Sequence, residues 1–371
     1  MKYYIISGEA SGDLHASNLM RELKHKDAEI KVRGWGGDLM EAQGATLVKH
    51  YKDLAFMGFL EVILNLKTIL WNLKLCKNDI LEFQPDALIL VDYPGFNMRI
   101  SKFVKQYNIP VYYYISPQVW AWKKNRVFDI KKYVTKLYSI LPFEKAFYAQ
   151  YNYEVDYLGH PLLDAVSNYR LSTIKEETIW KQEGRPLVAL LPGSRVQELT
   201  KMLPKMLEVE KQFPNCDFII AGVLAIGDDF YESFLKNSSI KVVYNKTYPL
   251  FEQADAALVS SGTATLETAL FNVPQVVCYQ TSWLSFAIAK LLVDVKYISL
   301  VNLISNREIV KELLQEDLTV ENMVDELKNI LLVDKAKDML KEYADLRILL
   351  GGLDSLVLYH SFSSFLAVRV F

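Results

Sequence analysis

The chain has 371 residues, 51% hydrophobic and 23% charged, which excludes the disordered class and, at this length, a single ordinary core. Lys+Arg 42 against Asp+Glu 44 leave a formal charge of -2, so no global field draws the protein to nucleic acid. Three scattered cysteines, Cys76, Cys216 and Cys278, argue against a disulfide framework and a zinc cluster, and the absence of a signal-peptide pattern or a run of about 18 apolar residues argues for a reducing cytoplasm with at most peripheral membrane contact.

Tyr3 to Ile6 read as a first buried strand, running into Ser7-Gly8-Glu9-Ala10-Ser11-Gly12-Asp13 and a helix. This loop has neither G-x-G-x-x-G nor a Walker lysine, which speaks against a dehydrogenase and a P-loop ATPase. Glu9 and Asp13 fit an active-site role, or simple capping and dipole stabilisation. Phe56 to Leu75 follow, with Phe59, Ile63, Leu66, Leu70 and Leu73 on one helical face and Phe56, Leu60, Val62, Ile69 and Trp71 widening it. Flanked by Lys67 and Lys74, the segment suits an interfacial helix or one buried in the core.

Ala87 to Val91, Val111 to Ile115 and Lys136 to Ile140 read as further strands of a parallel sheet. Asp92 follows the first of these directly, in Val91-Asp92-Tyr93-Pro94-Gly95-Phe96-Asn97, where ligands of open α/β sheets bind; an Asx-turn before Pro94-Gly95 is the alternative. Ser116 to Arg126, containing Gln118, Trp120 and Trp122, mixes aromatics with cations, as a solvated basic face or a contact for anionic lipid or nucleic acid. Neither H-E-x-x-H nor G-x-S-x-G occurs.

Residues 167–184 turn polar and read as a linker, separating a domain over 1–166 from a second over 185–345, with a tail over 346–371 that packs on the first domain or on a partner subunit. The second domain offers strands Leu187 to Leu191, Asp217 to Ala221, Ile240 to Val243, Ala256 to Val259 and Gln275 to Tyr279. In Pro192-Gly193-Ser194-Arg195-Val196-Gln197, Ser194 and Gln197 have capping-box spacing, but a first-turn arginine suits a bound pyrophosphate. Ser260-Ser261-Gly262-Thr263-Ala264-Thr265-Leu266-Glu267 opens another helix; backbone donors and hydroxyls converge there, and Glu267, one turn on, could accept ribose hydroxyls, a plain helix cap being the alternative although Ala264 leaves the capping box unsatisfied. The fold expected is α/β, two Rossmann-like doubly wound domains facing a cleft.

In their order and spacing these motifs, with Leu141-Pro142-Phe143-Glu144-Lys145 and Asn302-Leu303 followed by Arg307-Glu308 and Glu312 to Glu316, resemble the lipid-A-disaccharide synthases, glycosyltransferases of the GT-B type, over about residues 3 to 350. The resemblance implies inverting transfer of 2,3-diacylglucosamine from UDP to the 6-hydroxyl of 2,3-diacylglucosamine 1-phosphate, on the cytoplasmic face of a Gram-negative inner membrane, with no cofactor or metal. It gives Asp92 as the base and Ser194, Arg195, Ser261, Gly262, Thr263, Glu267 and Asn302 as the UDP site. Glu9, Ser11, Asp13, Asn97 and Gln118 become acceptor-side candidates. Phe56, Met57, Phe59, Leu60, Ile63, Leu66, Lys67, Leu70, Trp71 and Lys74 become a membrane patch.

Members of the family can form homodimers by exchanging C-terminal segments, but the chain departs from them after Gly351-Gly352, and Val301 stands where many relatives have proline. A GT-B UDP-sugar epimerase, and a non-enzymatic module binding membrane or nucleic acid, are the alternative functions. Nucleic acid is not an expected partner.

Overall fold

The computed structural model describes residues 1–54, 66–172, 179–236, 238, 240–282, 286 and 295–351. Phe56, Met57, Phe59, Leu60 and Ile63 of the apolar patch, the middle of the expected linker at 173–178, and the tail from 352 onward lie outside the described residues. The chain divides into two compact units, Met1–Pro161 and a second that begins at Leu162.

The first unit runs β1 (Lys2–Ser7), α1 (Ala10–Lys26), β2 (Lys31–Gly36), α2 (Asp38–Ala42), β3 (Thr46–His50), α3 (Leu66–Phe83), β4 (Ala87–Val91), α4 (Pro94–Val104), β5 (Val111–Tyr114), α5 (Arg126–Tyr133), β6 (Lys136–Ser139), α6 (Pro142–Ala149) and β7 (Asp156–Tyr157). Its strands form one parallel sheet in the order β3-β2-β1-β4-β5-β6-β7. Side chains alternate between two cores: Tyr3 and Ile5 meet Leu19 and Met20 of α1 on one face, while Tyr4 and Ile6 meet Leu73, Ile100 and Ile130 of α3, α4 and α5 on the other.

The second unit begins with α7 (Pro161–Leu171), which continues through residues 167–171 of the expected linker because Leu162, Leu163 and Val166 supply a buried helical face. It continues with β8 (Leu187–Leu191), α8 (Val196–Glu210), β9 (Asp217–Gly222), α9 (Asp228–Leu235), β10 (Lys241–Tyr244), α10 (Thr247–Phe251), β11 (Ala256–Ser260), α11 (Thr263–Leu270), β12 (Gln275–Tyr279), α12 (Leu300–Ser305), β13 (Lys311–Leu314), α13 (Val320–Leu331) and α14 (Val333–Leu349). Its parallel sheet has the order β10-β9-β8-β11-β12-β13. In each sheet the strand order reverses once, between β1 and β4 and between β8 and β11. There the two following loops diverge to opposite faces and leave a crevice at the carboxyl ends.

On α3, Leu73, Cys76 and Ile80 face the core, whereas Leu70 and Trp71 are each 57% exposed and Lys67 and Lys74 are exposed beside them. Of the stripe expected from spacing, Leu73 is buried against the sheet and Leu70, one turn away, lies at its exposed edge. No helix of the described residues is long and apolar enough to cross a membrane. The helix is tied to the sheet by Asp79, which accepts the Tyr4 hydroxyl at 2.7 Å and the Arg33 guanidinium at 2.6 and 3.1 Å, while the Trp35 indole donates to the Tyr4 oxygen at 3.1 Å.

Asp79→Ala leaves the Tyr4 hydroxyl and the Arg33 cation without their shared acceptor. We expect a loss of about 3 kcal/mol, read as a lowered urea midpoint at constant m-value. An unmoved midpoint would contradict this role for Asp79.

Candidate active site

In the second unit the loops after β8 and β11 line one pocket of about 510 Å³. Ser194, Arg195, Ser261, Gly262, Thr263 and Glu267 all lie on its wall. The N-terminal ends of α8 and α11 open onto it, and neither carries a side-chain cap: the cap positions are Arg195, extended at φ -121°, and Gly262 at φ 144°. The capping box that the Ser194–Gln197 spacing allows as the structural alternative does not form. The helix starts one residue later than that spacing supposes, and Glu198 instead reaches back to the Ser194 N–H at 3.1 Å. Apart from the Thr265 N–H, which donates to the Gly262 carbonyl at 3.2 Å, the first-turn N–H groups of both helices find no partner among the described residues and are open to a ligand, with the positive dipole ends behind them. Arg195 is exposed, and its Nη1 lies 3.8 Å from Glu198 Oε1, a loose surface pair worth about 0–1 kcal/mol that an incoming anion can displace. Gly193, at φ 122°, also has to be glycine because a Cβ there would stand 2.7 Å from Glu198.

Glu267 sits one turn into α11, its carboxyl held above the usual range by burial; the Tyr248 hydroxyl donates to its Oε1 at 2.9 Å. Asn302 is not on the wall of this pocket. It is fully buried: its Nδ2 donates to Val310 O at 2.8 Å and Glu312 Oε1 at 2.9 Å, and its Oδ1 accepts the N–H groups of Ile309 and Val310 at 2.7 and 3.0 Å. With every donor and acceptor engaged, it fastens the turn between α12 and β13.

In the first unit the crevice between β1 and β4 brings Glu9 and Asp92 together. Burial, then the charge of Glu9, raises the Asp92 carboxyl from 3.8 to about 6. Asp92 and Tyr93 both occupy the left-handed region, at φ 44° and 50°, a conformation that costs about 1–3 kcal/mol each for non-glycine residues. Two donors hold that turn by the Asp92 carbonyl: Tyr113 Oη at 2.6 Å and Asn97 Nδ2 at 2.7 Å. Opposite them, Gly8 lets the Tyr93 ring close in, since a Cβ would meet Tyr93 Cγ at 2.4 Å. Tyr113, a strand residue, carried no sequence signal for this role.

The other acceptor-side candidates separate. Ser11 and Gln118 are exposed. Asp13 is buried, and it accepts the N–H groups of Gly37, Leu39 and Met40 at 2.8, 3.0 and 3.1 Å, capping α2 rather than its own helix. Asn97 is fully buried against backbone carbonyls and frames Asp92 from behind. Glu144 is buried at the start of α6, accepting the Leu141 N–H and the Trp120 indole N–H, both at 3.2 Å, and burial lifts its carboxyl to about 7. Among the described residues no three His, Cys, Asp or Glu side chains gather as a metal-binding group.

A family model described as lipid-A-disaccharide synthetase matches residues 3–351. A lipid-A-disaccharide synthase of Syntrophus aciditrophicus is 37% identical over 358 residues, covering 94% of this chain and 93% of its own. Among solved structures, a UDP-GlcNAc 2-epimerase from Neisseria meningitidis, bound to UDP-GlcNAc, aligns with a TM-score of 0.63 at 14% identity over 94% of this chain and 98% of its own. A glycotransferase of kitacinnamycin gives 0.65 at 14% identity over 100% and 99%. At those identities the two structures share the fold alone, the GT-B type, whereas the sequence match is of another order. The chain therefore belongs to the lipid-A-disaccharide synthetase family, glycosyltransferases of lipid A biosynthesis.

Proposed function

We propose that the protein moves 2,3-diacylglucosamine from UDP to the 6-hydroxyl of 2,3-diacylglucosamine 1-phosphate with inversion, giving the β-1,6 disaccharide 1-phosphate and UDP. In this reading the Asp92 carboxylate takes the O6 proton as O6 bonds to the donor's anomeric carbon. The bond from that carbon to the diphosphate breaks, and its electron pair leaves on UDP. The diphosphate is held by Arg195 and by the N-terminal N–H groups of α8 and α11, which favour the charge that grows on it as the bond breaks. Ser194, Ser261, Gly262 and Thr263 line that seat, and Glu267 takes the ribose hydroxyls. Glu9, Ser11 and Gln118 remain on the acceptor side; Asp13, Asn97 and Asn302 act through the backbone they hold.

The observation that carries this reading is the state of Asp92, a carboxyl raised to about 6 on a strained turn at the sheet's reversal point. A base poised just below neutral pH is ionised when needed and still basic enough to accept an alcohol proton. Both substrates carry acyl chains that are costly to draw from a bilayer, so the enzyme works as a peripheral protein at the inner membrane. The exposed Lys67, Leu70, Trp71 and Lys74 support that placement.

Incubation with both acylated sugars is expected to yield disaccharide and UDP, and Asp92→Asn to lower kcat by about 100- to 10,000-fold. Since the ionised form acts, kcat/KM should fall tenfold per pH unit below an acid limb near pH 6, and Glu9→Gln, which removes a like charge, should move that limb to lower pH. Undiminished product from Asp92→Asn, or a limb near pH 4, would overturn the assignment of the base. In calorimetry Arg195→Ala should weaken UDP binding by about 10- to 100-fold, the value of one charge-assisted hydrogen bond; unchanged affinity would remove Arg195 from the site.

A further inference from the structure

Glu267 lies where two cavities meet, the pocket at the helix ends and a second of about 530 Å³ bounded by Asn245, Lys246, Tyr248 and Tyr169. One of its oxygens, Oε1, accepts the Tyr248 hydroxyl at 2.9 Å. Oε2 has no protein partner among the described residues. A carboxylate rotates freely about its last bond unless something holds it, and a single short donor on one oxygen fixes which oxygen turns toward the pocket. Tyr248 is itself held. Its ring packs edge-on against Tyr169 of α7 with centroids 5.3 Å apart and lies 4.8 Å from Phe271, and the Tyr169 hydroxyl donates to Glu252 at 3.1 Å. The next residue of α7, Arg170, donates from Nη2 to the Leu270 carbonyl at 3.1 Å, so this helix also holds the C-terminal end of α11.

We propose that Tyr248, buttressed by Tyr169, is a positioning residue that aligns the Glu267 carboxylate for a nucleotide's ribose diol. The inference rests on the reading of this pocket as the UDP site. It assigns Tyr248 no contact with the reacting atoms. The hydroxyl also stabilises the ionised carboxylate against the burial that raises it. The charged and titratable groups lining the two cavities with the pair are Tyr169, Lys246, Arg195 and Glu198, with Glu252 on the Tyr169 hydroxyl and Arg170 over the Phe271 ring behind them. Among the described residues only Tyr248 bonds to the Glu267 carboxylate.

The test is calorimetric titration of the full chain with UDP across pH 5 to 8. Tyr248→Phe keeps the ring against Tyr169 and Phe271 and deletes the hydroxyl. It should weaken UDP binding about tenfold at neutral pH and shift the loss of affinity on acidification to higher pH. Titration of the diphosphate is common to parent and variant and drops out of the comparison. Tyr169→Leu, which removes the buttress and leaves the hydroxyl, should weaken binding to a smaller extent. If Glu267→Ala loses affinity while Tyr248→Phe matches the parent in affinity and in pH profile, the inference falls and the UDP site stands. If Glu267→Ala binds UDP as the parent does, both fall.

Discussion

Two helix N-termini without side-chain caps, brought side by side at the reversal of one parallel sheet, set the terms for the second unit. An uncapped first turn leaves N–H groups unsatisfied and half a positive charge exposed, a state that is costly when empty of partners and favourable when an anion arrives. The surroundings sharpen that polarity. Glycines at φ 122° and 144° let the chain turn directly into α8 and α11, and the far end of α11 is met by two guanidinium groups, Arg170 and Arg347, on the Leu270 carbonyl at 3.1 and 2.7 Å. Cations at the C-terminal end and open donors at the N-terminal end work in the same direction. Burial and the neighbouring Arg170 charge hold the Arg347 guanidinium below its ordinary range, consistent with two cations sharing one acceptor.

The first unit answers the same topological constraint with different chemistry. Its reversal point holds no open glycine turn after β4 but a strained pair, Asp92-Tyr93, and the strain is sustained because Tyr113 and Asn97 fix the Asp92 carbonyl from two sides. A carboxylate kept partly desolvated beside Glu9 sits higher than a free aspartate, which is what proton abstraction from an alcohol asks of it. Helix-end polarity for the leaving diphosphate and a tuned carboxylate for the acceptor are complementary requirements of one group transfer. In the proposed reaction each unit supplies one of them.

What could be read from the residues followed burial. Strands enclosed on both faces, such as Ala87–Val91 and Leu187–Leu191, are continuous apolar runs and were legible to within a residue. β2, β3 and β13 were not, because β2 carries Gly34 and Gly36 and the others are short, charged segments at sheet edges, where a strand has one neighbour and weak patterning. The pocket of the second unit was legible because small residues after a strand announce a helix start. The duties of Asp13, Asn97 and Asn302 were not, since each is decided by backbone groups that only the tertiary fold brings to it. Tyr113 and Tyr248 left no local trace, for a tyrosine in a strand or short helix reads as core.

The most direct measurement is diffraction from crystals grown with UDP. The account predicts the diphosphate within about 2.7–3.1 Å of the first-turn N–H groups of α8 and α11, alongside Arg195, with the ribose on Glu267. Diphosphate bound elsewhere on the chain, with both helix ends left to water, would contradict it.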